Sequence, residues 1–220
     1  NPAPGAEAGP SGRHAQERLK IVPMSDNRVS DAGENLARRV LDFWFGVPGS
    51  AENGTRRDVW FKADADFDAD IRRLFLDDVA AAGLGHHDDL LASAEGALAL
   101  VILLDQFPRN LFRGSADSFA HDAKARHVAD AAIARGFDTA LTTVQRQFLY
   151  LPFEHSENPA DQERSVALFA AYVGHDELQW AERHRQVILR FGRFPHRNAL
   201  LGRATNAEEQ AFLVANPKGF

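Results

Sequence analysis

The sequence predicts an all-α protein built of antiparallel helix pairs. From Asp31 onward apolar residues recur at helical spacing, and no segment alternates at period two between β-rich runs. Glycine or proline closes nearly every apolar stripe, and the loops are so short that successive helices must return alongside one another. Six to eight helices of about 10–19 residues then fit a bundle or a short solenoid.

The first helix, about 32–45, carries Leu36, Val40, Leu41, Trp44 and Phe45 and stops at Gly46-Val47-Pro48-Gly49. The second, about 64–82, presents Phe67, Ile71, Leu74, Phe75 and Val79 and ends at Gly83. The third, about 88–105, is apolar on most sides, which predicts full burial. A fourth, about 117–135, stops at Gly136, and a fifth, about 142–151, meets Pro152. Asn158-Pro159 opens a sixth that ends at Gly174. The seventh, about 176–191, ends at Gly192, and a short eighth begins after Asn206.

The chain has 220 residues, enough for a substantial core, and residues 24–220 are expected to form a single helical domain. Residues 1–23 are rich in Pro, Gly and Ala, lack the apolar centre of a secretory signal, and read as an upstream extension or a cloning remnant. The longest apolar run, Ala97 to Leu104, falls short of the roughly 18 residues needed for a membrane span. With a net charge of −6, neither nucleic acid nor a membrane surface is an expected partner. Cysteine is absent, which excludes disulfides and thiolate chemistry and fits a cytoplasmic location.

One phrase occurs twice: Phe107-Pro108-Arg109-Asn110, and Phe194-Pro195-His196-Arg197-Asn198. Proline is expected to stop the helix, with arginine and asparagine projecting from the break as an anion grip. Beside the first copy, Asp105 ends the most apolar helix, where a carboxylate needs a partner, and Arg109 or Arg113 can supply one. The second copy lies in a stretch from Arg183 to Arg203 with six arginines, two histidines and no carboxylate. Arg193, His196, Asn198 and Arg203 are therefore the stronger candidates for an external anion. The competing reading pairs these cations with the seven aspartates between Asp58 and Asp78.

A third cluster, Glu154-His155-Ser156, cannot act as a serial relay, because neighbouring helical residues diverge by about 100°. Glu154 and His155 remain candidates for acid and base, with His184 or His196 as partners from elsewhere. Nucleotide-binding loops, nucleophile elbows and zinc signatures are missing, so no cofactor is expected. Histidine–aspartate doublets occur at His87, His121 and His175; two of them open helices, where aspartate is a routine cap, and no metal site is expected.

Leu41-Asp42-Phe43-Trp44-Phe45-Gly46, Trp60-Phe61, the first phrase with its Asp105, Tyr150 to Glu157, and Arg190 to Asn198 together resemble a bacterial family known as domain of unknown function 924. The resemblance covers about residues 32–215. It implies a helical fold similar to tetratricopeptide repeats, a compact right-handed superhelix, and it brings no activity and no catalytic residues. Two functions stand open. One is a pocket for a small anionic carboxylate or phosphate, with hydrolysis as one outcome: Asp105, Arg109, Asn110, Arg193, Asn198 and Arg203 would bind, and Glu154, His155 and His196 would move protons. The other is a module that clamps an acidic peptide or protein partner. Oligomeric state is not legible.

Overall fold

The computed structural model describes residues 29–217, and the readings for residues 1–23 lie outside them. Described regular structure is helical: α1 (Asp31–Phe45), α2 (Ala65–Leu84), α3 (Ala94–Val101), α4 (Phe107–Leu111), α5 (Asp122–Ala134), α6 (Thr143–Glu154), α7 (Pro159–Tyr172), α8 (His175–Phe191) and α9 (Ala207–Ala215). No helix among the described residues is long and apolar enough to cross a membrane.

Local chemistry sets these limits. Ser30 caps α1 by accepting from the Gly33 amide at 3.0 Å, and Thr142 and Asn206 open α6 and α9 with reciprocal capping boxes through Gln145 and Glu209. At the far end of α1, Arg57 donates to the carbonyls of Phe43 (2.8 Å) and Trp44 (2.7 Å), and the Trp60 indole also donates to Trp44. Carbonyls that the helix leaves open are thus satisfied, and segment 46–64 is drawn back against the core.

The apolar third helix is buried on all sides, as its sequence predicts, with α1, α5 and α6 packed around it. Trp44, Phe75, Phe107 and Phe148 meet near its C-terminal end at ring separations of 4.9–5.7 Å. Successive partners α6, α7 and α8 pack side by side across short loops. A smaller cluster of Val187, Ile188 and Phe194 takes Phe191 and Phe212 against it, which seats α9 on the end of α8.

Two prolines do not stop their helices. Between α3 and α4 the chain makes a π-turn, Ile102–Gln106, in which the Phe107 amide donates to Ile102, five residues back. Pro108 lacks an amide, and its ring would strike the carbonyl four residues earlier in an α-helix; the wider turn carries the chain past it. Pro152 lies inside α6, which continues to Glu154 because the residues from Gln147 to Glu154 are all buried. Gln162, itself fully buried, locks that end by donating to the carbonyls of Phe153 (3.3 Å), Glu154 (2.7 Å) and Ser156 (2.7 Å).

Candidate functional site

A cavity of about 510 Å³ opens between the π-turn, α4, α6, α7, α8 and segment 46–64. Helix α6 contributes Gln147, Leu151 and Glu154, with His155 just past its end, and α8 contributes Glu177, Trp180, Arg183 and His184. Both sets follow helical spacing, so each helix turns one polar stripe toward the space. The first phrase adds Gln106, Arg109, Asn110 and Arg113.

Asp105 is fully buried at the π-turn, and His155 Nδ1 meets its two oxygens at 2.9 and 3.0 Å. Burial would raise the Asp105 pKa, but Arg109, 3.1 Å away, and His155 hold it well below the usual carboxylate range. A carboxylate accepts only, so Nδ1 carries the ring proton and Nε2 is left as the basic nitrogen. Burial, aided by Arg109 and opposed by Asp105, lowers the His155 pKa and keeps the ring neutral near pH 7.

The adjacent Glu154 has the opposite character. Burial first, then the charges of Glu177 and Asp105, push its pKa up to about 8, so it is protonated at neutral pH. His184 Nδ1 lies 2.8 Å from the Trp180 carbonyl and 3.1 Å from Glu154 Oε1. A carbonyl can only accept, so the Nδ1 proton is shared between these two oxygens, and the acid proton of Glu154 falls to Oε2. Oε2 is buried without a hydrogen-bond partner. Burial, with the neighbouring His155 adding to it, pushes His184 down to about 3, so this contact joins two uncharged groups.

Both copies of the repeated phrase converge on Asp122. Arg109 grips it in a two-bond fork at 2.9 and 3.0 Å, and Arg197 of the second copy approaches at 3.4 Å while donating to the His155 carbonyl at 3.0 Å. The buried Arg197 guanidinium also lies 4.5 Å from the Phe119 ring and 4.7 Å from the Phe194 ring. Burial and Arg109 bring its pKa down to about 10. The asparagines repeat one another's geometry. Asn110 and Arg113 both bind Asp68, whereas Asn198 and Arg193 both bind Glu209.

The residues expected to form one site are therefore divided. Asp105, Arg109, Asn110, Glu154 and His155 come together at or beside the cavity. Arg193, Asn198 and Arg203 are held apart by internal carboxylates: Arg193 forks onto Glu209 (2.6 and 2.9 Å), and Arg203 onto Glu157 (2.7 and 3.0 Å) while also binding Asn198. His196 lines a separate hollow with Pro195, Thr205 and Leu213. The first copy, not the second, lines the cavity, and the arginines in and around the second copy are matched by carboxylates outside their own stretch: Arg193 by Glu209, Arg197 by Asp122 and Arg203 by Glu157. Nor do they reach the aspartate-rich segment, whose Asp68 instead serves the first copy. Phe107, Phe153 and Phe194 pack in the cores, and the aromatic lining comes from Trp60, Phe61, Phe169 and Trp180.

Sequence reasoning overlooked Glu177, met Arg183 only as the start of the arginine-rich stretch, and met Asp122 only in a histidine–aspartate doublet weighed for metal. The spacing Glu177, Trp180, Arg183, His184 was the available signal for the α8 stripe; nothing local marked Asp122 as the acceptor of two arginines. Among the described residues no group of three or more His, Asp or Glu side chains has the arrangement of a metal site.

The profile of a bacterial family of unknown function, DUF924, matches residues 40–217. The chain belongs to this family. A solved structure of a protein of unknown function from Agrobacterium tumefaciens, ATU0120, is 44% identical, with a TM-score of 0.75 over 82% of this chain and 97% of that one. No curated protein matches the chain. Membership accounts for the shared helical fold and names no chemistry, so the function has to be argued from the cavity.

Proposed function

We propose that the cavity binds a small anionic carboxylate or phosphate and hydrolyses it by paired acid–base catalysis. The observation that carries this reading is the tandem Glu154–His155: a protonated acid with an unpartnered buried oxygen, next to a neutral imidazole oriented by Asp105. His155 Nε2 removes a proton from water, the resulting hydroxide attacks the carbonyl or phosphoryl centre, and Glu154 Oε2 gives its proton to the leaving group. Transfer of the proton from His155 back to Glu154 restores the site, so the net change is one water consumed and one bond cleaved. The described residues that line the cavity include no hydroxyl, thiol or amine side chain, which favours water as the nucleophile. Arg109 acts through Asp105, since its donors are engaged with Asp105 and Asp122.

The test is turnover of a panel of carboxylic and phosphoric ester and amide substrates. Activity should rise with pH as His155 loses its proton and fall again near pH 8 as Glu154 ionises. His155→Gln should reduce kcat by at least 100-fold with little change in melting temperature. Turnover by His155→Gln at the wild-type rate would refute the mechanism.

A second reading, a helical module that clamps an acidic peptide, is supported by the exposure of Phe61 (48%) and Trp180 (36%) at the same cavity. It predicts binding of acidic peptides that survives Glu154→Gln and His155→Gln together.

A further inference from the structure

We infer that the cavity selects a monoanionic carboxylate carried on a flat apolar body, with Arg183 as the residue that reads the anion. This rests on the cavity being a ligand site and is independent of whether catalysis follows. Four arginines line the cavity, and three are already matched: Arg56 to Glu177, Arg109 to Asp105 and Asp122, Arg113 to Asp68. Arg183 has no carboxylate within ion-pair distance among the described residues, and its guanidinium lies 4.9 Å from the Trp180 ring.

That stacking points to a role. A guanidinium stacked on a ring uses its face, while its five N–H donors lie in its own plane and stay available for a bidentate anion. Charge sets the valence. Arg197 and Arg109 balance Asp122 and Asp105, Glu154 is protonated, and Arg183 is then the single uncompensated charge among the described residues around the cavity near neutral pH. One positive charge complements one carboxylate.

Trp180 and Phe61 supply the apolar side of the selection. Both are large aromatic residues left partly exposed at this cavity, and Arg56, 4.3 Å from the Phe61 ring, repeats on segment 46–64 the cation–aromatic pair that Arg183 and Trp180 form on α8. A flat body between these walls would cover ring surface that water now covers. An acyl anion without such a body would gain only the charge contact.

The test is calorimetric binding of benzoate, benzamide and acetate at pH 7 to wild type, Arg183→Gln and, as a charge-removing control away from the cavity, Glu208→Gln. Benzoate should bind wild type and Glu208→Gln with equal affinity, and Arg183→Gln at least tenfold more weakly. Acetate and benzamide should each bind wild type at least tenfold more weakly than benzoate. Arg183 is exposed, so Arg183→Gln should melt with wild type, and that melt is the control for folding. Absence of benzoate binding to wild type, equal binding by Arg183→Gln, or equal binding of acetate would each overturn the inference. Failure of the hydrolytic mechanism would show separately, as undiminished turnover in His155→Gln.

Discussion

Replacing Asp122 by asparagine tests the hub directly. The carboxylate is buried, accepts the two-bond fork of Arg109, and neutralises Arg197, whose own side chain is buried between two aromatic rings. Asparagine keeps the shape and one acceptor but removes the charge, leaving two arginines facing each other without compensation. Removing one partner of a buried pair costs about 3–5 kcal/mol, a third or more of the stability of an ordinary domain. With a urea dependence of about 2–3 kcal/mol/M, the unfolding midpoint should fall by about 1–2 M. The internal comparison is Arg190–Glu208, whose side chains are 53% and 62% exposed. Glu208→Gln should cost no more than about 1 kcal/mol. Adding Arg197→Met to Asp122→Asn removes the uncompensated charge and should recover part of the loss. A midpoint for Asp122→Asn as mild as that for Glu208→Gln, or no recovery in the double variant, would refute the hub.

Three further outcomes follow from the packing and the protonation states. Glu154 binds its proton more tightly in the folded state (about 8 against an ordinary 4.5), so stability should decline as pH rises through that window, by a few kcal/mol in all, and Glu154→Gln should flatten the decline in urea titrations between pH 5 and 8. Gly96→Ala would put a Cβ 2.1 Å from the Leu90 carbonyl oxygen, a backbone atom that cannot rotate away, and the melt should report a loss of about 1–3 kcal/mol or more. Gln162→Leu keeps the volume but strands three carbonyls at the end of α6; it should destabilise by about 1–3 kcal/mol and broaden the NMR signals of His155, which that end positions.

The fold was largely legible because its signals are local. The stripe from Phe67 to Val79 became α2, the all-round apolar run became the buried α3, and Asn158-Pro159 and Asn206 began α7 and α9. The passage of helices through Pro108 and Pro152 was not legible, since proline's cost is local while the burial that outweighs it is tertiary. Asp105, Glu154 and His155 were picked out because they stand near helix ends beside apolar runs. The pairing of Arg193 with Glu209 and of Arg203 with Glu157 was hidden for a simple reason. A window without carboxylates reports only on its own residues, and these partners lie 16 and 46 positions away. Asp122 was hidden more deeply, because its meaning depends on two arginines that only the folded chain brings together.

The order of the residues along the chain has a consequence for biosynthesis. When α6 has left the ribosome, Asp105, Arg109, Asp122, Glu154 and His155 are all present, yet the two cations that finish their surroundings are still to come. Arg197 must reach the His155 carbonyl across 42 positions and Asp122 across 75, and Arg203 must reach Glu157 across 46. Contacts of such separation close late. Arg197 and Arg203 therefore supply, from far along the chain, the contacts that complete the surroundings of Asp122, His155 and Glu157.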